Sequence, residues 1–217
     1  MEPTHWLDFF HAAGGLKAVA RQGWVDRGVP SPESVADHTF RSAIMAWMLG
    51  HAAGLDAVRL VKLALVHDLA ESEVGDATPY ADAIENDADF AQSVRRWREL
   101  LTPEQLAAAK QTKRRVEAEA ASRLTTLLPA ELGAEVQELW TDYAERRTPE
   151  ARFAAQIDKL EALLQAVEYR DAGHPSDVEN FLISAREAVE HPVLRAFLAE
   201  LETRAGALPV GAEGRSP

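Results

Sequence analysis

An all-α fold is predicted by three observations. Apolar residues recur at helical spacing almost throughout the 217 residues. No stretch of four or more residues alternates apolar and polar in a β-branched context, the pattern a half-buried strand would need. Helix-start signals stand before the apolar runs: Ser34 with Asp37, Thr102-Pro103-Glu104-Gln105 and Thr148-Pro149-Glu150.

In chain order, a first helix is expected over about His5 to Ala20, with Trp6, Phe9, Phe10, Leu16 and Val19 inward and Gly14-Gly15 as its weak point. Gly23, Gly28, Pro30 and Pro32 mark a turn-rich loop. The Ser34/Asp37 capping box opens a helix through Ile44 and Trp47 to about Ala53, where Gly54 stops it. Asp56 caps the next, whose Val58, Val61, Leu65, Val66 and Leu69 suit the centre of a core, until Gly75-Asp76 and Pro79 end it. From Ala81 to Leu101 the pattern is helical but polar. The helix opened at Thr102 should reach about Leu128, and another should run from Ala130 to Arg147 with Val136, Leu139, Trp140 and Tyr143 on one face. A long helix from Pro149 to Ala172, stopped by Gly173, and two shorter ones near Asp177 to Val189 and Pro192 to Ala205 complete the chain. With no internal repeat or linker, residues 1–205 read as one helical domain, and residues 206–217, with three glycines and two prolines, as a disordered tail.

Composition narrows the function. The 23 Lys and Arg against 35 Asp and Glu leave a net charge of −12, which argues against binding a nucleic-acid polymer but not a small phosphorylated molecule. Zero cysteines exclude disulfides, thiolate nucleophiles and Cys-based metal sites, so a metal would need His, Asp and Glu. The N-terminus lacks the basic start and apolar run of a signal peptide. The longest apolar stretch, Ala43 to Leu55, falls short of the roughly 20 residues a bilayer requires. A soluble cytoplasmic protein is expected.

Of the seven histidines, His67 stands apart because Asp68 follows it directly in the most apolar helix. A buried carboxylate needs a compensating cation or donor, and a metal ion would supply one. Asp37-His38 in the first turn of a capped helix and Asp158 in a long helix could add ligands. Two imidazoles and two carboxylates suit Mn, Fe, Co, Zn or Mg with positions left for water and substrate. The competing reading is an internal salt-bridge network with Arg41 or Lys159 as counterions.

His38, His67-Asp68 and the distant Asp158 resemble the H…HD…D signature of the HD-domain metal-dependent phosphohydrolases. The match is closer to one branch. Arg21-Gln22-Gly23-Trp24, Glu33 to His38, Leu63 to Glu71, Val74-Gly75-Asp76, Gln156 to Glu161 and Ala166 to Tyr169 follow in the order seen in the HD-domain 5′-deoxynucleotidase family, covering about Leu16 to Glu202. This resemblance implies an HD-domain helical bundle with additional C-terminal helices, and a divalent ion on His38, His67, Asp68 and Asp158. It implies catalytic or substrate-contacting carboxylates at Glu71 and Asp76, which hold a second cation in some relatives. Arg21 matches an arginine that orients the substrate phosphate; Asp76 and Thr78 are expected to contact the sugar or a second cation, with Asp68 and Asp158 facing the substrate. In some bacterial relatives a tryptophan directly follows that arginine and helps exclude a ribose 2′-hydroxyl; here Gln22 follows, and Trp24 comes two residues later.

The implied reaction is hydrolysis of a (deoxy)nucleoside 5′-monophosphate to nucleoside and phosphate. Rival readings are an HD phosphohydrolase acting on triphosphates, cyclic nucleotides or guanosine tetraphosphate, and a non-enzymatic helical adaptor. The chain is short for the former, lacks a GYP element after the HD block, and has Glu71-Ser72 where a Glu-Asp pair would stand. Relatives are commonly homodimers, and the apolar faces around Trp140 and Leu163 fit either packing across a two-fold axis or ordinary core.

Overall fold

The computed structural model describes residues 3–80, 99–174 and 176–206. Ten helices occur among them: α1 Pro3–Gly15, α2 Gln22–Val25, α3 Val35–Ala52, α4 Ala57–Val66, α5 Glu71–Val74, α6 Pro103–Thr125, α7 Ala130–Glu145, α8 Pro149–Asp171, α9 Val178–Ala188 and α10 Pro192–Gly206. Extended pairing among the described residues is limited to one antiparallel bridge between Ala20 and Ser34. Residues 207–217, and most of the polar stretch expected over 81–101, lie outside the described residues. No described helix is long and apolar enough to cross a membrane.

The helix starts follow local chemistry. Ser34 Oγ accepts the Asp37 N–H at 3.2 Å while the Asp37 carboxylate accepts the Ser34 N–H at 2.9 Å, closing the capping box. Thr102 and Gln105 repeat the arrangement at α6, and the Thr148 hydroxyl accepts the Ala151 N–H at 3.1 Å at α8. Asp56 caps α4 through the Arg59 N–H at 3.0 Å.

Three elements differ from the expected ones. The first helix stops at Gly15, its weak point, because the chain then turns so that Val19 C=O and Glu33 C=O can accept the Val35 and Arg21 N–H groups at 2.8 and 3.0 Å. The turn-rich loop contains the short helix α2. The apolar helix expected to run from Asp56 to Gly75 ends at Val66. Residues 67–70 form a turn with i→i−3 bonds, Leu69 N–H to Val66 C=O at 3.2 Å and Glu71 N–H to Asp68 C=O at 2.9 Å, before α5 begins.

The core centres on α8, which packs against α3, α4, α7, α9 and α10. Leu60, Leu63, Phe153, Ile157, Leu160 and Leu163 are buried together, each contributing about 1.5–3 kcal/mol of transfer free energy. α3 and α4 approach so closely at Gly50 that an added Cβ would lie 2.1 Å from Leu60 Cδ1. Leu163 belongs to this core, and Trp140 is buried beside Ala70, Ala120 and Ala121, so of the two readings of these faces, dimer contact or core, both residues are core. Conversely, Phe10, expected inward, and Val58 and Leu65, expected in a core helix, are exposed, as are Ile44 and Trp47.

Candidate metal centre and active site

Four elements converge on one point. The capped first turn of α3 carries His38, fully buried. His67 is the C-cap of α4 and Asp68 follows it in the turn, so both reach the site from the end of that helix. Asp158 comes from the middle of α8. His67 Nδ1 lies 2.7 Å from the Ala64 carbonyl. A carbonyl only accepts, so Nδ1 carries the proton and Nε2 presents its lone pair to the site.

The donor set fits a divalent ion. His38 Nε2 and His67 Nε2 are buried without a hydrogen-bond partner. Donor atoms of His38, His67 and Asp158 lie within 4.8 Å of one another. Asp68 Oδ2 stands 3.0 Å from His67 Nε2 and 3.9 Å from His38 Nε2, and Asp158 Oδ1 stands 3.2 Å from His38 Nε2. Ligand distances of about 2.0–2.2 Å place donors around one ion at such separations. Burial and Arg21 oppose protonation of His38, but the facing Asp158 and Glu161 carboxylates outweigh them and raise its pKa to about 9. The carboxylates of Asp68 and Asp158 beside these two ring nitrogens attract a cation.

Arg21, the N-cap of α2, sits among these carboxylates, with NH1 3.3 Å from Asp68 Oδ2 and 3.6 Å from Asp76 Oδ2, and NH2 3.8 Å from Asp158 Oδ1. The arginine anticipated as a phosphate contact therefore lies on the donor cluster. Asp76 follows Gly75, whose φ of 76° turns the chain out of α5, and its Oδ2 accepts the Gln22 N–H at 3.0 Å. Glu71 is buried, with Oε2 unpartnered. Burial first, then Asp68 and Asp76, push its carboxyl up to about 9. Thr78 Oγ1 is buried without a partner on the same wall.

Arg21, Asp68, Glu71, Asp76, Thr78 and Asp158 all line one cleft of about 470 Å³. The opposite wall was not anticipated. α6 contributes Lys110, Lys113 and Arg114, and Lys113 Nζ lies 3.2 Å from Glu71 Oε1 and 3.9 Å from Asp76 Oδ1. These basic residues at i, i+3 and i+4 have the pattern of any solvated helix face, so the sequence carries no signal for them. Tyr143 of α7 packs its ring 5.0 Å from that of His67. Gln22 turns its amide along α2 to Asp26 at 2.6 Å, while Trp24, stacked at 4.5 Å on Phe181, reaches the cleft wall. The counterions of the competing salt-bridge reading are also present: Lys159 Nζ meets Asp158 Oδ2 at 2.8 Å, and Arg41 meets Glu161.

The HD domain family model matches residues 13–195, spanning all four donors. The chain belongs to the HD domain family. Among curated HD-domain relatives, the human 5′-deoxynucleotidase HDDC2 is 39% identical over 197 residues, covering 90% of this chain and 84% of its own. The 5′-deoxynucleotidase hdd1 of Schizosaccharomyces pombe is 32% identical over 200 residues, covering 90% and 87%. A conserved hypothetical protein from Pyrococcus furiosus shares the HD-domain fold with a TM-score of 0.65 at 27% identity, over 91% of this chain and 99% of its own.

Proposed function

We propose that the chain is a metal-dependent 5′-deoxynucleotidase, hydrolysing (deoxy)nucleoside 5′-monophosphates to nucleoside and inorganic phosphate. The observation that carries this reading is the convergence of His38, His67, Asp68 and Asp158 with Arg21, all but the fully buried His38 lining one cleft. The curated relatives named 5′-deoxynucleotidase, similar over nearly the whole chain, support the substrate class.

Those four side chains would hold the divalent ion, from the set Mn, Co, Mg, Zn and Fe. When bound, such an ion supplies Lewis acidity toward a phosphoryl oxygen and lowers the pKa of water. The guanidinium of Arg21, kept protonated by the surrounding carboxylates despite its burial, neutralises and orients the phosphate through its fork of N–H donors. Glu71, buried and holding a proton, donates it to the departing 5′-oxygen. Asp76 and Thr78 meet the sugar from the turn after α5. Asp68 and Asp158 face the substrate on the cleft floor. A second cation between Glu71 and Asp76 would have to displace the Lys113 ammonium.

The reading extends to assembly as a homodimer, with the surface moved from Trp140 and Leu163 to α3. Phe40, Ile44, Trp47 and Met48 form an exposed stripe with no ionised side chain, on a chain whose net charge of −12 opposes contact elsewhere. A panel of ribo- and deoxyribonucleotides crossed with the five metals, read by phosphate release, tests the activity. It also separates this reading from triphosphate, cyclic-nucleotide and adaptor alternatives.

A further inference from the structure

We infer that Glu161 is a positioning residue for the metal centre, fixing the His38 imidazole from behind, and that Arg41 in turn fixes Glu161. The inference rests on the ion assignment above and deepens it.

Glu161 and His38 are both fully buried, and His38 Nδ1 is hydrogen-bonded to Glu161 Oε2. A buried carboxylate unpaired with donors costs several kcal/mol, so its partners define its role. The remaining oxygen, Oε1, accepts Arg41 Nε at 2.8 Å and lies 2.7 Å from NH2. Arg41 is anchored further along the same face of α8, by Glu168 Oε2 at 2.6 Å from NH1 and Gln165 Oε1 at 2.6 Å from NH2. A chain of hydrogen bonds thus runs from the surface carboxylate Glu168 through Arg41 and Glu161 to His38. It ends on a ring whose other nitrogen, Nε2, faces Asp158 and Asp68.

The two histidines are held differently. His67 is oriented by a backbone carbonyl that any side-chain change leaves in place, whereas His38 depends on one carboxylate 123 residues away. Glu161 does not line the cleft, so it touches no substrate and acts only through His38. Glu33 also brings a carboxylate oxygen near His38 and Glu161, but its Oε1 is taken by Trp24 Nε1 at 2.9 Å. With Nδ1 and Oε1 already engaged, this is a hydrogen-bond network and not a second ion site.

Co²⁺ affinity by calorimetry and the visible spectrum of the Co²⁺-loaded full-length chain test the proposal, with thermal melting to verify folding. Glu161→Ala is expected to bind Co²⁺ about 10- to 100-fold more weakly, with a shifted ligand-field band and a fall in kcat larger than any change in KM. Glu161→Gln, whose amide oxygen can still accept from Nδ1, should recover most of the affinity. Should Glu161→Ala fail to fold, Arg41→Gln, at a partly exposed site, is expected to weaken Co²⁺ binding in the same direction by a smaller factor. A folded Glu161→Ala, or in its absence Arg41→Gln, with unchanged affinity and spectrum overturns the proposal. A parent chain that binds no Co²⁺ overturns it together with the ion assignment. A parent that binds Co²⁺ yet releases no phosphate overturns the functional reading alone, and the variant spectra still decide the role of Glu161.

Discussion

Lys113 Nζ lies 3.2 Å from Glu71 Oε1, a contact between helices 42 residues apart. It sets an ammonium from α6 against a cleft carboxyl that burial keeps protonated, next to the Arg21 guanidinium and the carboxylates it bridges. The cleft thus combines a cation-seeking floor with cationic side chains that receive an anion.

Arg21 separates phosphate binding from ion binding. Replacing it with Ala removes charge-assisted hydrogen bonds worth about 1.5–3 kcal/mol, so kcat/KM should fall roughly 10- to 150-fold. Metal content by elemental analysis should stay at the parent level, since Arg21 donates no lone pair. Loss of the metal would contradict its role as the phosphate contact.

Glu71 gives a pH signature. A carboxyl raised from 4.5 to about 9 keeps its proton in the folded chain while the unfolded chain releases it. Stability therefore falls as pH rises through that interval. In metal-free protein, Glu71→Gln should melt progressively higher than the parent as pH increases from about 4.5 to 9. The same variant should lose roughly 10²- to 10⁴-fold in kcat with the ion restored, the range for a group that transfers a proton. Parallel melting curves across pH would show that Glu71 is ionised in the fold.

Much of this was legible locally. The caps at Ser34, Thr102 and Thr148 are short-range hydrogen bonds written in adjacent residues, and they stand where expected. His38, His67, Asp68 and Asp158 do meet, as their motif implies. The break after Val66 was hidden because Leu69 and Ala70 continue the apolar period while the backbone changes to i→i−3 bonds. Lys113 and the Arg41–Glu161 pair depend on contacts across 42 and 120 residues, which no local pattern encodes. The core position of Trp140 and Leu163 was not decidable locally, because an apolar face has the same spacing whether it meets a core or a partner.

Gly50 tests the packing of α3 on α4. An alanine Cβ there would meet Leu60 Cδ1 at 2.1 Å, and Leu60 is fully buried, so its side chain has no open space to enter. Gly50→Ala should destabilise the chain by about 1–3 kcal/mol in urea unfolding, the usual cost of overpacking. A neutral or stabilising effect would mean that the helices separate readily.

Trp47 tests assembly. Half-exposed at 51% on the uncharged stripe of α3, it should sit within the dimer contact. Trp47→Glu is expected to shift sedimentation from dimer to monomer while leaving the melting temperature of the monomer unit and metal content nearly unchanged. A parent chain that sediments as a monomer contradicts the proposed pairing.

The most direct test of a metal-dependent 5′-deoxynucleotidase is phosphate release from a 2′-deoxynucleoside 5′-monophosphate by the metal-loaded chain, measured beside Asp68→Ala. The parent should turn over in a way that a chelator abolishes, and a folded Asp68→Ala should neither retain the ion nor release phosphate. Full activity in Asp68→Ala, or no release by the parent with any of Mn, Co, Mg, Zn or Fe, would contradict that assignment.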